Sequence, residues 1–357
     1  MAEKTLLSIR YRHRTFTARF PGTTHSFMFS APILTGCIRL LRPRQWTKNL
    51  VCLAGAFFGH RLDPHSAVRA LLAVLAFCAA SSFVYIVNDI LDRDRDRNHP
   101  RKRLRPIASG QVGIPQALIL AAAALALALI LGSMLGSLVI CILAAYVLLN
   151  LCYSAVLKNL SLVDATVVAI GFILRIYAGT AAVNVAPSSW LLLCAFFLAL
   201  FLAFGKRRAE INAASGHLTS SRTVIEKFAV ADGRVSGSRK VVQESDKPKV
   251  DVTATRAVLH KYSVAMLDRF CNICATLAIA TYALFTALGH PDDRSLIITI
   301  PPVVMGIFRY LLLIERYQEG EAPDTILLKD WAIQLAIVLW LALYVAVVYL
   351  GLQINVQ

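Results

Sequence analysis

Apolar residues run in long blocks separated by short polar segments through most of this chain. A helix rises 1.5 Å per residue and needs about 20 apolar residues to cross a bilayer. Nine blocks approach that length: residues 47–60, 67–89, 114–131, 134–153, 161–182, 188–205, 268–289, 295–314 and 331–351. The first is the shortest, and Gly132-Ser133 reads as a tight turn between the third and the fourth. The pattern predicts an all-α polytopic membrane protein of about nine transmembrane helices.

The polar segments divide the chain further. Residues 1–38 carry Lys4, Arg10, Arg12, Arg14 and Arg19, with no sustained apolar core ahead of a small-residue cleavage site. They are expected to form a basic cytoplasmic tail and not a signal peptide. Residues 39–357 are then the transmembrane catalytic domain. Within it, residues 211–258 are rich in Ser, Gly, Asp and Lys and lack an apolar stripe, which predicts a flexible cytoplasmic insertion with short helices.

Composition sharpens this picture. The 357 residues are 57% hydrophobic and 16% charged, with Lys+Arg 37 against Asp+Glu 21 and a net charge of +16. A soluble domain carries about 25% charged residues, and a disordered basic chain would be far less apolar. Nucleic-acid binding needs a folded basic surface, whereas here the cations come in short bursts between apolar blocks. Their distribution obeys the positive-inside rule. Arg42, Arg44, Lys48, the run from Arg93 to Arg105, Lys158, and Lys206 to Arg208 fall on one side, against Arg61, Arg69 and Arg294 on the other. Nine crossings make the two sets alternate with the N-terminus inside. The eight cysteines lie mostly in or beside apolar runs, and Cys271 and Cys274 read as small packing residues.

The candidate chemistry sits at the inner end of the second block. Asp89, Asp92 and Asp96 are spaced i, i+3 and i+7, which stacks three carboxylates on one face if the helix persists. Like charges so stacked repel, and a divalent cation relieves them. Hard oxygen donors suit Mg²⁺, which completes its shell with water and substrate phosphates. Arg93, Arg95, Arg97, Arg101, Lys102, Arg103 and Arg105 ring this face with cations, as expected of a site that holds a diphosphate leaving group. Asn88 adjoins it. Other inner ends carry Arg42, Gln45, Trp46, Lys48 and Asn49, then Tyr153, Ser154, Lys158 and Asp164, then Lys206, Arg207, Arg208 and Glu210. Arg175 lies deep in the fifth block, where a charge is costly and usually faces a cavity. Asp164, 11 residues earlier, shares its helical face and is expected to line the same cavity. No His-centred triad is evident, and His99 reads as shaping the turn before Pro100.

The stretch NDILDRDRDRNHPRKRLRPIASG resembles the first aspartate-rich motif of the UbiA-type intramembrane prenyltransferase superfamily. RPRQWTKNLVCLAGAFFG, YSAVLKNLSLVDATVVAIGFILRIYAGTAA, FLAFGKRRAE, YSVAMLD and GIFRYLLLIERYQEGEAPDTILLKD resemble more specifically its decaprenyl-phosphate phosphoribosyltransferase branch, over about residues 38 to 351.

The resemblance implies a UbiA-type bundle with a cytoplasm-facing cavity in the inner membrane. It implies transfer of 5-phosphoribose from phosphoribosyl diphosphate to a polyprenyl phosphate, toward arabinofuranose donors for cell-wall arabinan or a nodulation factor. Asp89, Asp92 and Asp96 would hold Mg²⁺ and the donor diphosphate, and Lys48, Asn88, Lys102, Arg105, Tyr153 and Lys158 would contact the donor. The superfamily carries a second aspartate-rich motif after the sixth helix, where this chain has KRRAEIN. Lys206, Arg207 and Arg208 are assigned there to the acceptor phosphate. The departure weakens the alternative, prenyl transfer from a prenyl diphosphate to an aromatic or other acceptor. A transporter or scaffold is disfavoured because polar residues gather on one membrane side only. Chain length of the acceptor and oligomeric state stay open, a homo-oligomer included.

Overall fold

The computed structural model describes residues 31–99, 102–220, 261–288, 294–317, 326 and 329–353. Within them lie α1 (Ala31–Leu41), a 3-10 helix (Pro43–Leu53), α2 (Ala54–Phe58), α3 (Pro64–Leu91), α4 (Arg93–Arg97), α5 (Ile114–Leu135), α6 (Ser137–Ala155), α7 (Val163–Ala182), α8 (Ser189–Ser220), α9 (Val264–Leu288), α10 (Ile300–Tyr317) and α11 (Trp331–Val348). No strand occurs among the described residues. Eight helical stretches there are long and apolar enough to cross a membrane. Large exposed apolar side chains such as Leu118, Ile130, Met134, Leu148 and Val338 point outward, which suits hydrocarbon and not water. The protein is a multi-pass membrane protein.

The ninth expected crossing takes another form. Residues 47–60 lie in the 3-10 helix and α2, preceded by α1, which has no counterpart among the predicted blocks. A 3-10 helix rises about 2.0 Å per residue, so its 11 residues plus the five of α2 reach about 30 Å. That is the thickness of a hydrocarbon core. The segment wedges against α3 and α7. A Cβ on Gly179 would sit 2.7 Å from the Cys52 carbonyl carbon and collide with its oxygen, and one on Gly55 would sit 2.7 Å from the Gly179 carbonyl oxygen. Only glycine permits these two backbones to meet.

The turn between α5 and α6 is at Gly136, not at Gly132-Ser133. Gly136 has φ 123° and ψ 166°, a region open to glycine alone, while Gly132 stays helical with Leu143 packed against it. Asp63 caps α3 by accepting from the Ser66 N–H at 3.0 Å, with Pro64 at the first helical position. Arg69, expected in an outer loop, lies within α3. Its Nε donates to Ala182 O at 2.5 Å and its Nη2 to Leu135 O at 2.9 Å. It thereby satisfies bare carbonyls at the C-terminal ends of α7 and α5.

Two cores divide the bundle. One joins Cys52 to α3, α5, α6 and the outer half of α7; the other joins Ala165 of α7 to α8, α9, α10 and α11. Helix α7 therefore serves both halves, and its inner end faces the end of α3 where the aspartates lie. Of the predicted insertion, residues 211–220 continue α8 and the rest, 221–258, lies outside the described residues.

Candidate active site

Helix α3 ends at Leu91, with Asp92 (φ −89°, ψ 3°) as the hinge into α4. The i→i−4 bonds continue across it, Asp92 N–H to Asn88 O at 2.9 Å and Asp96 N–H to Asp92 O at 2.8 Å. The bend separates the carboxylates that sequence spacing stacked on one face. Asp89 and Asp96 come together, their side chains 3% and 2% exposed. Arg105 Nη1 donates to Asp89 Oδ1 at 3.0 Å and to Asp96 Oδ2 at 2.7 Å. Arg42 Nη2 donates to Asp89 Oδ1 at 2.6 Å and stacks over the Tyr85 ring at 4.8 Å. Asp92 turns elsewhere, to Lys158 Nζ at 3.5 Å and Arg95 Nη1 at 3.5 Å. Asp89 and Asp96 thus share Arg105, while Asp92 has cations of its own.

Arg42 joins the candidate site through Asp89, although spacing did not single it out. It precedes the 3-10 helix in a left-handed conformation, φ 52° and ψ 57°, which aims its side chain across to α3. Its sequence signals are its place at the start of the RPRQW motif and among the polar residues at helix ends. Lys48 is half-buried one residue before the fully buried Asn49. Trp46 is tied inward, its Nε1 donating to Ser82 Oγ at 3.1 Å. Asn88 is half-buried beside Asp89, Lys102 lies on a short 3-10 helix with its N–H on His99 Nδ1 at 3.3 Å, and Tyr153 is half-buried near the end of α6. His99 thus holds the turn, as its sequence position suggested.

Arg175 and Asp164 do not line a common cavity. They share a face of α7, but 11 residues is about 16 Å along the axis, and each serves a different cluster. Arg175 is buried at mid-bundle, donating to Asn49 Oδ1 at 2.8 Å, Gly171 O at 2.7 Å and Tyr146 Oη at 2.9 Å. Asn49 in turn donates to Ser81 Oγ and Cys78 Sγ, each at 3.3 Å. Arg175 thus pins the 3-10 helix to α6 and α7, beneath the aspartates. Asp164 is fully buried and accepts from Arg207 Nε at 2.7 Å and Tyr262 Oη at 2.9 Å. Burial pushes the Tyr262 hydroxyl up to about 12, so it stays a proton donor at neutral pH. Arg207 also reaches Glu210 Oε2 at 2.9 Å, and Arg208 binds Asp268 and the Ile314 carbonyl. Both arginines, expected at the acceptor phosphate, are therefore engaged by internal partners. Lys206 is half-buried beside them.

Among the described residues no three acidic, histidine or cysteine side chains close into a ready metal cage. The donor set nevertheless fits a hard divalent cation. One nitrogen, Arg105 Nη1, lies within hydrogen-bonding distance of both Asp89 and Asp96, so two carboxylates already converge on a single cation position.

The UbiA prenyltransferase family model matches residues 49–217. Over 328 residues the chain is 31% identical to a decaprenyl-phosphate phosphoribosyltransferase of Corynebacterium glutamicum, covering 88% of this chain and 87% of that protein. The chain belongs to the UbiA prenyltransferase family. It is a transferase. A UbiA homolog from Archaeoglobus fulgidus bound to GPP and Mg²⁺ shares the fold, with a TM-score of 0.61 and 20% identity over 88% of this chain and 99% of that one. Nodulation protein NoeC of Azorhizobium caulinodans is 32% identical over 186 residues, 51% of this chain and 59% of that protein. Against this UbiA-type frame, the aspartates, Arg42, Arg105 and Lys158 lie together in the first half of the bundle, and the paired Arg207 and Arg208 belong to the second.

Proposed function

We propose that this UbiA-family transferase moves 5-phosphoribose from phosphoribosyl diphosphate to a polyprenyl phosphate with the help of Mg²⁺. Diphosphate leaves, and the product is polyprenyl phosphoryl 5-phosphoribose. The observation that carries this reading is the shared cation position between Asp89 and Asp96, ringed by Arg42, Arg105 and Lys158. The phosphoribosyltransferase relative, similar over most of both chains, supports the choice of donor and acceptor.

In this reading Asp89, Asp92 and Asp96 hold Mg²⁺. A metal there supplies charge neutralisation for the departing diphosphate. Arg42, Lys48, Asn88, Lys102, Arg105, Tyr153 and Lys158 bind and orient the donor. As the bond from the anomeric carbon to the diphosphate oxygen breaks, positive charge develops on the ribose. An oxygen of the polyprenyl phosphate, already anionic, forms the new bond, so no side chain has to remove a proton. The protein's task is positioning and electrostatic stabilisation. With Arg207 and Arg208 tied to Asp164, Glu210 and Asp268, the acceptor phosphate falls to Lys206, and Arg175 braces the wall below the site. The second half offers paired charges where a second metal-holding motif would need free carboxylates, which favours phosphoribosyl over prenyl transfer. The enzyme sits in the inner membrane with its N-terminus and site facing the cytoplasm. Its product feeds arabinofuranose donors, for cell-wall arabinan or, as the similarity to NoeC suggests, a nodulation factor.

Purified protein with labelled phosphoribosyl diphosphate, a polyprenyl phosphate and Mg²⁺ should pass label into the lipid phase, and Asp92→Asn should abolish it. Label that stays aqueous while an isoprenyl diphosphate is consumed would establish the prenyl-transfer alternative instead.

A further inference from the structure

Lys158 lies on the 3-10 helix Leu157–Asn159, and the connection from there into α7 passes through Leu162. Leu162 has φ 68° and ψ −45°, a conformation that branched side chains adopt only where their surroundings impose it. What imposes it comes from 100 residues away. The Leu162 N–H donates to Tyr262 Oη at 2.5 Å, the Tyr262 hydroxyl donates to Asp164 Oδ1 at 2.9 Å, and Asp164 Oδ2 receives Arg207 Nε at 2.7 Å. Asp164 and Arg207 are 0% and 3% exposed, so this relay is anchored in the protein interior.

The first turn of α7 does not depend on the relay. Asp164 N–H already bonds Leu160 O at 3.1 Å and Thr166 N–H bonds Leu162 O at 3.0 Å. What Tyr262 adds is a fixed acceptor for the one amide at the strained turn. We infer that Tyr262 is a positioning residue: its hydroxyl locks the Leu162 turn and so holds the Lys158 ammonium at Asp92. The inference rests on the reading of Lys158 as a donor-phosphate contact. It also gives a purpose to a tyrosine that lies just before α9, immediately after the long polar insertion.

The test uses full-length Tyr262→Phe in detergent, with Asp164→Asn as a second way to break the relay should the first not fold. Leu162 is 44% exposed, so water can replace the lost acceptor and the variant should fold. Amide exchange in the peptide covering 157–163 should quicken about tenfold, the effect of losing one buried hydrogen bond, while α3 and α9 peptides keep their protection. The KM for phosphoribosyl diphosphate should rise about tenfold with kcat within about twofold. Lys158→Ala combined with Tyr262→Phe should be no worse than Lys158→Ala alone. Unchanged exchange at 157–163, or fully multiplicative losses in the double variant, overturns the inference. A loosened loop with a donor KM that Lys158→Ala leaves untouched upholds the lock on the loop and refutes the donor role of Lys158 instead.

Discussion

Replacing Arg105 with methionine isolates the shared cation position, because the variant keeps the bulk of the side-chain stem and removes only the charge. Asp89 and Asp96, 3% and 2% exposed, then face each other without the nitrogen that bridged them at 3.0 and 2.7 Å. Removing one partner of a buried ion pair costs about 3–5 kcal/mol. Arg105 is itself 28% exposed, so water screens part of the loss and about 2–3 kcal/mol is the better expectation. At about 2 °C per kcal/mol for a chain of this size, the variant should melt about 4–6 °C below wild type in chelator. Saturating Mg²⁺ changes the comparison. A ligand at a hundred times its Kd adds about 2.7 kcal/mol, and in the variant it has no guanidinium to displace. The gap should therefore shrink to about 2 °C or less in a thermal-shift titration with Mg²⁺. Arg309→Met, which breaks the pair with Asp330 at 2.9 Å far from the aspartates, should keep its deficit at every Mg²⁺ concentration. A gap for Arg105→Met that Mg²⁺ leaves unchanged would refute the idea that Asp89 and Asp96 converge on a cation site.

Three further outcomes test the scaffold. Gly179→Ala drives a methyl into the Cys52 carbonyl and should cost at least about 2–3 kcal/mol as overpacking between two backbones, read as a lower Tm and poorer yield of folded protein. Arg69→Met removes the donors that cap α5 and α7; about 1.5–3 kcal/mol should be lost by the same assay, with the Mg²⁺ response intact. Asp330 caps α11 and its hydrogen bond from Arg309 holds its carboxyl below the usual range. Its folded pKa is thus below its unfolded one, so the stabilisation is present at neutral pH and fades as pH falls below about 4. Asp330→Asn should accordingly melt lower than wild type at pH 7 and converge with it in acid.

The helices were legible because hydrocarbon demands long apolar runs, and the eight longer blocks correspond to eight helices among the described residues that are long and apolar enough to cross. The first was misjudged in form because periodicity carries no information on whether a backbone winds as an α or a 3-10 helix, and 11 residues cover more height in the second. The Gly136 turn was missed for a similar reason: both Gly132 and Gly136 offer a break, and only the packing of Leu143 decides between them. At the site, spacing located the aspartates and several of their cations. It could not see that Asp92 parts from the other two, because the partners are long-range: Arg105 claims two carboxylates and Lys158 the third. Long-range pairing likewise hid Tyr262 and the partners of Arg207 and Arg208, since nothing local to a sequence distinguishes an arginine that waits for a phosphate from one already bound to an aspartate.

Charge balance connects these observations. Asp89, Asp92 and Asp96 are paired with Arg42, Arg105, Lys158 and Arg95, three carboxylates against four cations. As folded, the cluster's carboxylates occupy these cations in ion pairs, which leaves them less available to a polyanion. Under the proposed function, Arg105 cannot remain between Asp89 and Asp96 once a metal takes that position. Its guanidinium, displaced but tethered a few ångströms away, keeps the planar fork that matches phosphate oxygens. Under the proposed function a bound metal would free Arg105 for the diphosphate, so affinity for the donor would rise with the metal. In the second half of the bundle no such exchange is available. Arg207 with Asp164 and Glu210, and Arg208 with Asp268, are pairs in which Asp164 and both guanidinium groups sit in the interior, where parting them would strand a buried charge. Under the proposed function, one pole of the bundle is poised to trade its cations and the other is locked, which leaves one candidate diphosphate site among the described residues.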